Sequence, residues 1–278
     1  MPLEAKVVQD EGSEHAPILE TQGLTRRFGS LIAVDNFTVQ IKGGEMFGLV
    51  GPNGAGKSTV IKMLTTLLPP TSVNASIAGY DILRHAPDVR RVIGYVPQLL
   101  SADGSLTGYE NLLIFAKLYN LPRYERKKRV QEALDFMGLA EVADNLAHNY
   151  SGGMIRRLEI AQSMLHRPKV LFLDEPTVGL DPIARTTVWE HIEKLRDYGT
   201  TILLTTHYME EADALCTRVA VMHLGKVVAI GTPTALKESV GPTATLNDVF
   251  VHYAGYELES GGSFRDVSRT RRVAQRLG

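Results

Sequence analysis

The sequence predicts an α/β fold built on a mainly parallel core sheet, because strand-sized apolar runs alternate with helix-period segments through its C-terminal half. Two further observations point the same way. Met46 to Val50 runs directly into a glycine-rich loop and a helix starting near Lys57, a strand–loop–helix unit, and short strands with alternating apolar positions precede it.

Taken in order, Met1 to Ala16 is polar, acidic and without periodicity, which predicts a flexible arm over 1–16. A main domain is expected over 17–240. From Ile18 to Val50 the chain reads as strands, with Phe37, Val39 and Ile41 on one face and breaks at Gly29-Ser30 and Gly43-Gly44. Between Gly104 and Leu146 the period becomes helical. Leu112, Leu113, Phe115, Ala116 and Tyr119 form one stripe, and Val130, Ala133, Leu134 and Met137 a second, so a separate helical lobe is expected over about 100–165.

Another helix follows Ser151, then the buried-strand run Val170 to Leu173, a helix carrying Val188, Ile192 and Leu195, and the strand Thr201 to Thr205. Arg218 to Met222 and Val227 to Ile230, joined through Gly225, read as a hairpin. Leu246, Val249, Phe250 and Tyr253 recur at helical spacing and predict a C-terminal helical extension over 241–256. Residues 257–278 form a basic polar tail with Arg265, Arg269, Arg271, Arg272 and Arg276; a solvated tail and a contact with lipid headgroups or an acidic partner both remain open.

The chain has 278 residues, 44% hydrophobic and 22% charged, with a net charge of -1, so nothing draws it globally toward nucleic acid or anionic lipid. A membrane-spanning helix needs about 20 apolar residues in a row, and no stretch offers them. The N-terminus has acids and no apolar signal region, so a cytoplasmic location is expected. The lone Cys216 excludes an internal disulfide and reads as a small core residue.

Gly51-Pro52-Asn53-Gly54-Ala55-Gly56-Lys57-Ser58-Thr59 fits the phosphate-loop pattern G-x-x-x-x-G-K-[ST] in the strand–helix context that pattern requires. Its glycines let successive N–H groups turn inward around a phosphate, and the following helix adds the positive end of its dipole. Lys57 then supplies charge to the β- and γ-phosphates of a nucleotide, and Ser58 a hydroxyl for Mg²⁺. Asp174 and Glu175 end the apolar run Val170 to Leu173, and two acids there are costly unless they have work to do. Asp174 is the candidate to hold Mg²⁺ and Glu175 to polarise an attacking water.

Further motifs narrow the class. Tyr150-Ser151-Gly152-Gly153-Met154 resembles the signature of ABC-type ATPases, Gln98 the Q-loop, Gly179-Leu180-Asp181 the D-loop, and His207 the switch histidine, all in family order. Phe28 stands where that family places an aromatic that stacks on adenine. The resemblance covers about Ile18 to Leu236. It implies a P-loop NTPase fold of the ABC ATPase type, with an N-terminal antiparallel β subdomain and an inserted helical subdomain. It also implies ATP and Mg²⁺ as ligands, with Gln98 joining Ser58 and Asp174 at the metal and sensing the γ-phosphate, and His207 offsetting charge there. Asp181 is expected among the nucleotide-binding residues, and Ser151, Gly152 and Gly153 are expected to meet the nucleotide held by a second copy, in a head-to-tail homodimer.

The spellings Tyr150, Met154 and Gly179 depart from the commonest pattern and, with Leu246 to Phe250, are similar to the daunorubicin-resistance-like exporter branch. That implies a transport subunit at the inner face of the membrane, driving export of a drug, lipid, other hydrophobic compound or polysaccharide through a separate permease. A soluble non-transport ABC ATPase is the alternative. A GTPase or kinase is the remaining one; no Asn-Lys-x-Asp guanine motif is present, and neither explains Ser151 to Gly153.

Overall fold

Strict alternation along its buried strands divides the molecule into two cores. In the computed structural model, which describes residues 6–7 and 16–254, the elements run β1 (Lys6–Val7), β2 (Leu19–Phe28), β3 (Leu31–Ile41), β4 (Met46–Val50), α1 (Lys57–Leu64), β5 (Ser72–Ile77), β6 (Tyr80–Asp81), α2 (Ala86–Val92) and β7 (Ile93–Val96). Then follow α3 (Gly108–Leu118), α4 (Arg123–Phe136), α5 (Gly152–Met164), β8 (Val170–Asp174), α6 (Pro182–Asp197), β9 (Thr201–Thr206), α7 (Met209–Leu215), β10 (Arg218–His223), β11 (Lys226–Gly231), α8 (Pro233–Glu238) and α9 (Leu246–Ala254).

The larger sheet has the order β1-β11-β10-β4-β9-β8-β7, and all its pairs are parallel except β10 with β11. Because side chains alternate faces along a strand, Phe47, Leu49, Val170, Phe172 and Leu203 enter one core, and Met46, Val50, Leu171, Leu173, Ile202 and Leu204 the other. The first core is closed by α1 and by the antiparallel sheet β3-β2-β5-β6. The second is closed by α5, α6 and the helical part.

In that helical part, Thr107 and Glu110 form a capping box that starts α3, satisfying two helix-end donors reciprocally. Leu112, Ala116, Val130, Leu134 and Met137 are buried, as their spacing predicts. β10 and β11 turn through Leu224 and Gly225, both at positive φ. Cys216 is buried, where its Sγ would stand 2.6 Å from a Cβ at Gly48, and burial pushes its thiol well above the usual range.

At Lys6 and Val7 the chain departs from the expected flexible arm, because these two residues extend the sheet edge by pairing parallel with Ala229 and Ile230. This pairing covers the open side of β11 and makes the two-residue strand the edge of the sheet. The rest of the arm up to His15, and the arginine-bearing tail beyond Ala254, lie outside the described residues.

Candidate active site

The site grows from the ends of four parallel strands. β4 delivers the chain into a loop whose Gly51, Gly54 and Gly56 all have positive φ, at 153°, 86° and 105°. A Cβ on Gly51 would lie 2.2 Å from the Met222 carbonyl oxygen, and one on Gly56 2.5 Å from that of Ala33. The loop is therefore pressed against β10 and β3, which only glycine permits. Ala55 is buried beneath it, Thr59 is half-buried, and Pro52, Asn53 and Gly54 are exposed at its rim. No side chain caps α1 at Gly56, so the N–H groups of its first turn point to wherever the loop's ligand lies.

Register explains how the polar groups meet. β7 pairs with β8 at Val96↔Leu173, and β8 with β9 at Asp174↔Thr205, so the chain just beyond each strand emerges side by side. Glu175 Oε2 thus receives His207 Nδ1 at 2.9 Å and Gln98 Nε2 at 3.5 Å, while Lys57 Nζ stands 3.4 Å from Oε1. Lys57 is only 4% exposed, and its ammonium donates to the carbonyls of Gly51 (2.7 Å) and Pro52 (3.1 Å). Burial draws its pKa below the ordinary lysine value, opposed by the charges of Glu175 and Asp174.

Asp174 accepts hydrogen bonds through Oδ1 from Ser58 Oγ at 3.0 Å and Thr205 Oγ1 at 2.6 Å. Glu175 has a φ of 50°, a left-handed backbone rarely taken by a residue with a side chain. Its N–H is shared between the Thr205 carbonyl (3.0 Å) and hydroxyl (3.1 Å), which pins that conformation. Thr205 went unsingled in the sequence. The signal for it was the Thr205-Thr206 pair that follows the apolar run Ile202 to Leu204.

The remaining candidates lie apart. Ser151 is the N-cap of α5, accepting from the Met154 N–H at 3.3 Å, and Asp181 the N-cap of α6, accepting from the Ala184 N–H at 2.9 Å. A Cβ on Gly152 would lie 3.2 Å from Leu180 Cδ2, and one on Gly153 2.8 Å from Ala184 Cβ, so the start of α5 packs closely against the start of α6, too closely at Gly153 for a side chain. Among the described residues, no hydrogen bond or ion pair joins Ser151, Gly152, Gly153 or Asp181 to the Lys57–Glu175 cluster. Phe28, 43% exposed at the end of β2, has the Arg26 guanidinium 4.5 Å from its ring centroid.

Two buried networks carried no recognisable motif. Glu211 Oε1 accepts from Thr177 Oγ1 (2.6 Å) and Trp189 Nε1 (2.9 Å), bracing the segment after Glu175 against α7, which begins two residues after His207. Arg156 and Glu159 form the second, on α5.

These groups fit a magnesium nucleotide. A cradle of positive-φ glycines, an uncapped helix start and a buried ammonium suit a polyphosphate. Ser58 Oγ and Asp174 Oδ1 are hard oxygen donors of the kind that magnesium takes alongside phosphate oxygens. Among the described residues no group of three or more His, Cys, Asp or Glu could hold a metal unaided. A carboxylate flanked by a histidine and a glutamine can hold and deprotonate a water.

Comparison with known proteins agrees with this geometry. The family model described as ABC transporter matches residues 34–178. The chain is 45% identical to the daunorubicin/doxorubicin resistance ATP-binding protein DrrA of Streptomyces peucetius, over 80% of this chain and 68% of that protein. It is 40% identical to the linearmycin resistance ATP-binding protein LnrL of Bacillus subtilis (81% and 72%), and 43% identical to the Nod factor export ATP-binding protein I of Burkholderia thailandensis (81% and 73%). A solved ATP binding subunit of an ABC transporter superposes with a TM-score of 0.76 at 30% identity, covering 85% of this chain and 99% of that one. No helix among the described residues is long and apolar enough to cross a membrane. With the matched region running from the antiparallel sheet past Glu175, the chain belongs to the ABC transporter family, as an ATP-hydrolysing subunit that powers transport.

Proposed function

We propose that the chain binds Mg-ATP on its P-loop and hydrolyses it as one half of a homodimer, driving export through a separate membrane permease at the inner face of the membrane. The observation that carries this reading is the convergence of Lys57, Gln98 and His207 on the single carboxylate of Glu175. Export is supported by the relatives named for drug resistance and Nod factor export.

Magnesium, when bound through Ser58, Asp174 and Gln98, would offset charge on the β- and γ-phosphate oxygens. Lys57 exchanges its loop carbonyls for those oxygens, and its suppressed pKa reflects the burial that strengthens the attraction. Glu175 aligns the attacking water and takes its proton, while His207, whose Nδ1 stands 2.9 Å from Oε2, turns its ring N–H from that carboxylate to the γ-phosphate. The Gly51–Thr59 loop supplies N–H donors, and Phe28 a ring for adenine.

Ser151, Gly152, Gly153 and Asp181 stand apart from this cluster in one chain, which supports their acting on the nucleotide of a second copy. The N-terminal end of α5 then offers its dipole and the Ser151 hydroxyl to a γ-phosphate across a two-fold axis. The experiment is nucleotide binding and phosphate release by the purified chain, alone and co-purified with a membrane partner, beside Lys57→Ala. Loss of binding in the variant is expected, with turnover that rises with protein concentration and with the membrane partner. Turnover strictly proportional to monomer concentration would refute the shared site.

A further inference from the structure

The reaction just described makes no use of the most deeply buried ion pair in the helical part. Arg156 and Glu159, one turn apart on α5, are each 2% exposed and bonded at 3.0 Å. A buried pair of this kind adds little net stability, because desolvation offsets its attraction. What the pair holds is therefore more informative than the pair itself.

Arg156 Nη1 donates to the Pro97 carbonyl at 2.7 Å and Nη2 to the Gln98 carbonyl at 2.9 Å. Glu159 Oε1 accepts from both the backbone N–H of Ser101 and its hydroxyl, the latter at 3.1 Å. Among the described residues, the segment 97–101 makes no other backbone hydrogen bond. One turn of α5 thus grips both ends of the loop that joins β7 to the helical part, and between the two grips Leu99 and Leu100 project 82% and 56% exposed. The same helix carries Ser151 at its start, about one and a half turns from Arg156.

We propose that Arg156 and Glu159 are positioning residues that fasten the 97–101 loop to α5, so that Gln98 and Ser151 move as one body relative to Glu175. The proposal rests on the reading of Gln98 and Ser151 as parts of the ATPase site. A displacement of α5 then changes the 3.5 Å approach of Gln98 to Glu175 while the P-loop, held by β4, β10 and β3, stays in place. Turnover depends on this fastening, and nucleotide capture by one chain does not. Burial lowers the Arg156 pKa, and the Glu159 charge is the first influence that opposes the loss.

The test uses the full-length chain with Arg156→Lys, whose single ammonium lacks the planar fork needed to serve two successive carbonyls and a carboxylate. A second variant, Arg156→Met with Glu159→Met, removes both charges together and so leaves neither buried alone. Expected for both are an ATP Kd and a KM within twofold of wild type, kcat at least tenfold lower, and amide exchange at least tenfold faster at Ser101, whose N–H is the one in this segment that is bonded. Exchange over 57–64 and 170–174 should be unchanged. Unaltered exchange at Ser101, or a rise of equal size in α1 and β8, would overturn the fastening role. If that exchange pattern holds while wild type and variants release no phosphate, the ATPase reading fails and the mechanical link stands.

Discussion

Glu175 and His207 each stand one residue beyond the end of neighbouring parallel strands, β8 and β9, and touch at 2.9 Å between Oε2 and Nδ1. The contact follows from sheet register, because Asp174 pairs with Thr205 and the two strands end side by side. It places the proposed base and the histidine proposed to offset γ-phosphate charge in one hydrogen-bonded unit.

Replacing Glu175 by Gln keeps the side chain's size and removes its charge. Phosphate release should fall by roughly 10²- to 10⁴-fold, the usual share of a general base. ATP binding should persist, and a dimer should accumulate with ATP in size-exclusion chromatography. Turnover at the wild-type rate would exclude this carboxylate from the chemistry.

Ser151→Ala separates capture from turnover. Its hydroxyl caps α5 through the Met154 N–H, so its loss should cost about 1 kcal/mol of stability. Nucleotide binding measured at concentrations that keep the chain monomeric should match wild type, whereas phosphate release at higher concentration should drop. A loss of monomer binding would place Ser151 in the wrong half of the site.

Gly51→Ala is a packing test. The added methyl would meet the Met222 carbonyl oxygen at 2.2 Å from a backbone with φ of 153°. Overpacking of this kind costs about 1–3 kcal/mol, read as a lower Tm, and the P-loop shift that relieves it should weaken ATP binding as well. A variant with unchanged Tm and affinity would show that the loop has slack against β10.

Tyr95, on β7, has its phenol pushed up to about 12 from 10.0 by burial first and the nearby Asp174 charge second. In the unfolded chain this phenol ionises at lower pH than in the native state. Its contribution to stability is therefore fully present below about pH 10 and is lost as pH rises toward 12. Urea denaturation between pH 9 and 12, in wild type and Tyr95→Phe, should show a shallower decline for the variant. Parallel curves would mean that this phenol titrates alike in both states.

Where the sequence carried long periods or a fixed spelling, the molecule was legible. The stripes of α3 and α4, the strands β8 and β9, the β10–β11 hairpin and the P-loop all stand where the residues put them, because burial and glycine chemistry leave few alternatives. The segment from Ser72 to Val96 was harder to read. β6 has two residues and β7 four, too short for alternation to register, and their places depend on partners far along the chain. Thr205, Glu211, Arg156 and Glu159 were equally silent. Polar residues held by non-local partners leave no periodic trace, so the braces around the site emerged only once the sheet order was known.

With Glu175 as the proposed base, its left-handed backbone sets stability against activity at a single residue. Holding a residue with a side chain there costs on the order of 1–3 kcal/mol, which a glycine would recover by relaxing into the same turn. A lineage of this protein selected for robustness alone would therefore drift toward a sturdier chain without a carboxylate. In the proposed mechanism, the turn keeps the costlier residue because the attacking water needs its carboxylate.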